Sequence, residues 1–157
     1  MNPEAMASFV AGVQPAFEAD DATVESKALE KENVERLRGM YDALSKGDGN
    51  ALPALLADDI ELIITGPESM PMAGSWKGRD QVLQAAAANF ARLEDQKPEL
   101  LAVTAQGDQV AVVAREQGRL RASGKSYEVH WLQLFTVREG RITRILEFCD
   151  DPHAFVD

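Results

Sequence analysis

The side chains able to move a proton or hold a charge are few, and most lie in strand-like segments. Glu147 falls in the run Ile142–Cys149, Arg115 and Glu116 in Val110–Arg121, and His130 and Gln133 in Ser126–Val137. A carboxylate set among apolar neighbours is pushed towards its neutral form, which suits it to acid–base work near neutrality. Glu147 is the first candidate for that role. Adjacent strand residues point to opposite faces, so Arg115 and Glu116 cannot share one. An inward Glu116 would form a paired-carboxylate site with Glu147. An inward Arg115 would instead hold Glu147 ionised and bind an anionic substrate. Alternation alone leaves both arrangements open. Histidine as a residue type suits acid–base work near neutral pH, which makes His130 tempting, but its plainer reading is a surface or interface histidine.

Other chemistries have no support. One cysteine, Cys149, and two scattered histidines provide neither a disulfide nor metal-ligand spacing, so no metal and no cofactor is expected. Phosphate-cradling glycine motifs are absent. The net charge of -10, from 26 acidic and 16 basic residues, opposes nucleic acid and anionic membrane surfaces. No run approaches the roughly 20 apolar residues of a membrane span. The start Met1-Asn2-Pro3-Glu4 lacks the basic charge of a secretory signal, and the expectation is a cytoplasmic protein.

These strands need elements to position them. The 157 residues suit a single domain. Residues 1–25 stand apart as an N-terminal helical extension, with Ala5, Phe9, Val13 and Phe17 at helical spacing. Residues 26–157 form the domain proper. Its first helix, 26–46, carries Val34, Leu37, Tyr41 and Leu44 on one stripe and ends at Gly47. A short helix follows, capped by Asn50, and then a β-branched strand, Asp59–Thr65. After a loop, Gly66–Ser75, a third helix opens at Gly78-Arg79-Asp80, with Val82, Leu83, Ala86, Phe90 and Leu93 inward and Pro98 closing the region. Four strands complete the chain: Glu99–Gln106, Val110–Arg121, Ser126–Val137 and Ile142–Cys149. Their turns (Gly107-Asp108, Ser123-Gly124, Glu139-Gly140) are short enough to require antiparallel neighbours. The fold class is α+β, a curved antiparallel sheet wrapped over three helices into a cone with an interior pocket.

Several segments, in order, carry a resemblance. They are Ala43-Leu44-Ser45-Lys46-Gly47-Asp48, Leu55-Leu56-Ala57-Asp58-Asp59-Ile60, Trp76-Lys77-Gly78-Arg79, Val137-Arg138-Glu139-Gly140-Arg141-Ile142 and Glu147-Phe148-Cys149-Asp150. Over residues 32–152 the chain resembles the nuclear transport factor 2-like superfamily, in its SnoaL-like branch. The resemblance implies that Tyr127, Val129, Trp131, Gln133 and Phe135 face the pocket, together with Ile145, Glu147 and Cys149. It turns His130 to the convex face, where such proteins often form homodimers. Candidates for the pocket wall are Met40, Leu62, Ile64, Met70, Met72, Trp76, Phe90, Trp131 and Phe135, although Met and aromatic stripes more often fill a core. Large aromatics with flexible methionines would suit a bulky apolar ligand.

Within that superfamily, the groups that ketosteroid isomerases use fall near Met40, Ile64 and Gln133, where they are missing, so that mechanism is rejected. The Arg-x-Asp of limonene epoxide hydrolases aligns either with Ala114 and Glu116 or with Arg115 and Gln117, losing one group each way. A polyketide cyclase needs one acid–base residue in an apolar pocket. The resemblance therefore implies a cofactor-independent enzyme on a small hydrophobic carbonyl or polyketide-like compound. Glu147 would move the proton, and Gln133 or Arg115 would stabilise the oxyanion. The alternatives are a non-catalytic binder using the same pocket and a homodimeric scaffold with a filled core.

Overall fold

The computed structural model describes residues 24–156 together with Asn2 and Ala7. The extension expected over residues 1–25 therefore lies almost wholly outside the described residues. Helix α1 (Val24–Ser45) turns Leu37 and Met40 into the core, with Val34, Tyr41 and Leu44 packed against it. It ends as its glycine predicts. Gly47 takes φ +80°, its N–H donates to Leu44 O at 3.0 Å, and the Asp48 N–H donates to Ala43 O at 2.9 Å. Helix α2 (Ala51–Leu55) is a single turn. Asn50 makes no side-chain cap there, and its N–H donates instead to Asp48 Oδ1 at 3.0 Å.

Strand β1 (Leu56–Thr65) starts earlier than its β-branched run, at Leu56. The loop after it holds buried Met70 and Met72, and part of it forms a short strand, β2 (Gly74–Lys77), against β1. Gly78 then takes φ +91°, where glycine is at ease, and its N–H donates to Ile60 O at 2.8 Å. Arg79 donates from Nε and Nη2 to Leu56 O at 3.2 and 2.8 Å. The Trp-x-Gly-Arg segment thus ties the entry of α3 (Arg79–Ala91) to β1.

The rest is a meander of β3 (Leu93–Gln106), β4 (Gln109–Leu120), β5 (Ser126–Arg138) and β6 (Arg141–Cys149), closed by a 3-10 helix, Pro152–Phe155. The β5–β6 turn has positive φ at both Glu139 and Gly140, as a tight hairpin requires. The order β2-β1-β6-β5-β4-β3 makes one six-stranded sheet, with β1 parallel to β6 and every other neighbour antiparallel. Leu93 is buried, but as the first residue of β3 rather than the last turn of α3. Pro98 lies within β3, which is an edge strand, so its missing N–H costs no ladder bond on the open side. The architecture is the expected α+β sheet wrapped over helices, with α1 packing on β3 and β4 and α3 on β1, β2 and β3. No described helix is long and apolar enough to cross a membrane.

Candidate functional site

One row of paired residues crosses the concave face: Val103, Val112, Gln133, Glu147, Ile64 and Gly74. Glu147 sits near its centre, on β6, between Gln133 and Ile64. Gln133 Nε2 donates to Glu147 Oε1 at 3.0 Å, and the Tyr41 hydroxyl, reaching in from α1, donates to Gln133 Oε1. Burial dominates the titration of Glu147. The Gln133 donor pulls the pKa down, the charge of Glu116 pushes it up, and the result is about 7. The same burial, reinforced by the Glu147 charge, holds the Tyr41 phenol well above its ordinary value. Tyr41 is therefore a fixed hydrogen-bond donor at any physiological pH.

Glu116 also faces inward. Its Oε1 accepts from the Tyr127 hydroxyl and from Gln96 Nε2 at 3.2 Å. Gly118, cross-strand from Tyr127, makes this possible: a Cβ there would lie 2.6 Å from the Tyr127 hydroxyl oxygen. The concave face thus carries two carboxylates: Glu116, held directly by a phenol and an amide, and Glu147, held by an amide that a phenol in turn holds. Cys149 is close by, but burial pushes its thiol up to about 11, which leaves it protonated and a poor nucleophile.

Two expected site residues belong elsewhere. Arg115 is on the convex face, where it donates to Glu128 Oε1 and Oε2 at 3.1 and 2.9 Å and lies 3.8 Å from Glu99. It pairs across the ladder with His130, whose ring nitrogen is 2.9 Å from Asp150. Arg115 is thereby removed from the role of oxyanion donor or Glu147 partner. Phe90 is 56% exposed, because α3 buries Val82 and Ala85 and its last turn runs past them. Gln133 is in place, but its amide N–H is directed at Glu147 rather than at an open oxyanion position.

The expected wall is mostly core. Met40, Leu62, Ile64, Met70, Trp131 and Phe135 are buried in one packed cluster, and Trp76 is half-buried with its ring over Gly74. A cavity of about 270 Å³ opens where α3 meets β3 and β4 meets β5, and of the expected wall only Met72 lines it. Leu93, Leu120 and Phe155 share its apolar lining with Pro71, Ala91 and Ala122, and Arg92 and Arg121 lie beside them. Neither Glu147 nor Glu116 lines the cavity. Phe155 stands between: one side of its surroundings is the cavity, and its ring also packs on Tyr127 at 5.0 Å and Trp131 at 5.4 Å.

Tyr41, Gln96 and Phe155 are neighbours of the candidate site that pattern reading did not assign to it, and Tyr127 was placed on the pocket face without its bond to Glu116. A tyrosine on an apolar helix stripe must find a polar partner for its hydroxyl, and that signal was present at Tyr41. Among the described residues, no three His, Cys, Asp or Glu side chains gather as a metal site.

Comparison with known proteins agrees with this fold. The SnoaL-like domain model matches residues 37–145, ending two residues before Glu147. A Mycobacterium tuberculosis protein, Rv0034, uncharacterized in function, is 33% identical over 128 residues, spanning 78% of this chain and 92% of its own. Among solved structures, an NTF2-like protein from Burkholderia xenovorans LB400 superposes with TM-score 0.67 at 29% identity, covering 80% of this chain and 94% of its own. A putative SnoaL-like polyketide cyclase from Jannaschia sp. CCS1 shares the fold with TM-score 0.69 at 21% identity, over 83% and 91% of the two chains. By the extent of the domain match and the fold around it, the chain belongs to the SnoaL-like domain family.

Proposed function

We propose that this protein is a cofactor-independent acid–base enzyme acting on a small hydrophobic carbonyl compound, of cyclase, isomerase or hydrolase type, with Glu147 as the group that moves the proton. One observation carries the reading. Glu147 is an inward carboxyl with a pKa of about 7, so both protonation states are populated at neutral pH. Such a group removes a proton from carbon and returns it elsewhere without a large energetic mismatch at either step. Gln133 and Tyr41 are positioning residues that fix the carboxyl's orientation. Glu116, held by Tyr127 and Gln96, supplies a second carboxylate whose charge helps to keep Glu147 protonated. With Arg115 outside and the Gln133 N–H engaged, substrates whose carbon is already acidified by flanking carbonyls fit best, because they ask least of an oxyanion donor.

The test is turnover, followed by mass spectrometry, on a panel of β-dicarbonyl cyclisation substrates, enones and epoxides. Wild type and Glu147→Gln are run side by side. The proposal expects loss of at least about 100-fold in the variant with the fold intact. Equal turnover in both would remove Glu147 from the chemistry. A second reading, a non-catalytic binder, draws on the separation of the 270 Å³ cavity from both carboxylates by Phe155. Saturable binding of the panel without turnover in either protein favours it. We also infer a homodimer on the convex face, where Leu132 and Phe148 pair in register and remain 43% and 40% exposed. Sedimentation equilibrium giving the monomer mass at working concentrations would reject it.

A further inference from the structure

Phe155 is an aromatic ring held in a place built for one. It is 4% exposed, although it belongs to a four-residue 3-10 helix that packs mainly on β5. Its ring lies 5.0 Å from Tyr127 at an interplanar angle of 52° and 5.4 Å from Trp131 at 35°. Both distances fall within the range in which aromatic pairs attract beyond simple burial. Val129, also buried, stands between Tyr127 and Trp131 on the same face of β5. Immediately behind Tyr127 is Glu116, and Trp131 is cross-strand from Cys149, two residues from Glu147. The slot therefore adjoins Glu116 directly, and Glu147 lies two residues along β6 from the strand partner of Trp131. On its other side, Phe155 is part of the wall of the 270 Å³ cavity, together with Met72, Leu93 and Leu120.

The helix that carries the ring is lightly fastened. Short 3-10 turns have poorer hydrogen-bond geometry than an α-helix. Apart from buried Ala154, the ties are peripheral: Asp151 Oδ1 accepts the His153 N–H at 3.1 Å, and Lys125 Nζ donates to Val156 O at 2.8 Å and His153 O at 3.5 Å. A flat ring entering from the cavity would recreate the contacts that Phe155 gives up, so the exchange is nearly balanced in apolar burial.

We propose that the space between Tyr127 and Trp131 is a binding slot for a flat aromatic ring, and that Phe155 is its built-in occupant, displaced when an aromatic ligand enters through the neighbouring cavity. Displacement joins cavity and slot into one chamber that reaches Glu116 and Glu147. Only the naming of the ring compound as substrate rests on the acid–base reading above. The binding does not depend on Glu147.

The experiment is titration calorimetry of the full chain with 2-naphthol, using decahydro-2-naphthol as the non-planar control. Phe155→Ala, checked by circular dichroism for an intact fold, is expected to bind 2-naphthol at least about tenfold tighter than wild type, with a smaller gain for the control. Equal 2-naphthol affinity in the two proteins overturns the proposal, and so does an equal gain for the saturated compound. Should Phe155→Ala fail to fold, Lys125→Met loosens the tether while keeping the ring. It should tighten 2-naphthol binding by about threefold, and no change there overturns the proposal equally. Glu128→Gln, on the convex face, should bind 2-naphthol as wild type does. Tight ring binding with no turnover on the panel would thus sink the acid–base reading alone, and turnover without ring binding would sink the slot alone.

Discussion

Glu147 and Glu128 are carried on neighbouring strands of one sheet, yet they are opposite in character. Glu147 points into the cone, and burial raises its pKa to about 7. Glu128 points out, and its contacts with Arg115 and Gln117 hold its carboxyl below the usual carboxylate range. Asp150 resembles Glu128: the backbone N–H of His130 keeps it low. A single sheet thus presents carboxylates of two kinds, separated only by strand parity. Glu147 is short of cationic partners and ready to exchange a proton, whereas Glu128 and Asp150 are paired at the surface and held ionised. Residue type alone says nothing about which kind a glutamate will be.

Catalysis should separate the two faces most sharply. Glu147→Gln is expected to lose at least about 100-fold in turnover, and Glu128→Gln to keep wild-type turnover on the same panel. A loss in both would collapse the distinction.

Stability against pH should come next in size. The folded-state pKa of Glu147 is raised from 4.5 to about 7, so the folded protein binds the extra proton between those values. The contribution of this group to stability is therefore fully present below about 4.5 and is lost as pH rises through 7, by about 3 kcal/mol at most. Glu147→Gln should remove that decline in urea titrations run from pH 5 to pH 8. Glu128 has the reverse sign, favouring the fold above the ordinary glutamate range and losing that support as pH falls. Its position at the solvent-exposed surface makes the effect slight.

A smaller effect sharpens the inner case. Gln133 lowers the Glu147 pKa by donating to it, so Gln133→Leu should move the carboxyl's titration above 7, read by carbon NMR of labelled glutamate. Tyr41→Phe should shift it the same way by less, because the phenol acts through the amide. Smallest of all, Arg115→Gln should alter neither the pH profile nor the turnover, since its partners lie on the convex face.

Much of this geometry was legible in the chain. The stripe on α1, the glycine at position 47 and the hairpin turns all act locally, and their chemistry is written in adjacent residues. Parity only split β5 and β6 into two sets each, since both phases carry large apolar residues, and it was the resemblance to SnoaL-like proteins that turned Gln133 and Glu147 inward. Alternation could not decide between Arg115 and Glu116, since polar residues occupy both phases of that stretch. Pairing with β5 decides it, setting Arg115 opposite His130 and Glu116 opposite Val129. Phe90 and Leu93 matched a helical period that the helix does not sustain to its end. Phe155 had no period to announce it, and its place depends wholly on two distant aromatics.

The parallel pairing of β1 with β6 has a consequence for how the molecule is made. Leu62 is matched with Ile145, so the β1–β2 ribbon cannot join the sheet until nearly all of the intervening chain has been synthesised. Such non-local pairing folds slowly, and while it waits the ribbon offers an open apolar edge to other chains. Glu147 leaves the ribosome after Tyr41, Glu116 and Gln133, on the same strand that closes that edge. A nascent chain therefore cannot assemble its acid before its sheet is complete, and the end of its exposure to aggregation coincides with the arrival of its chemistry.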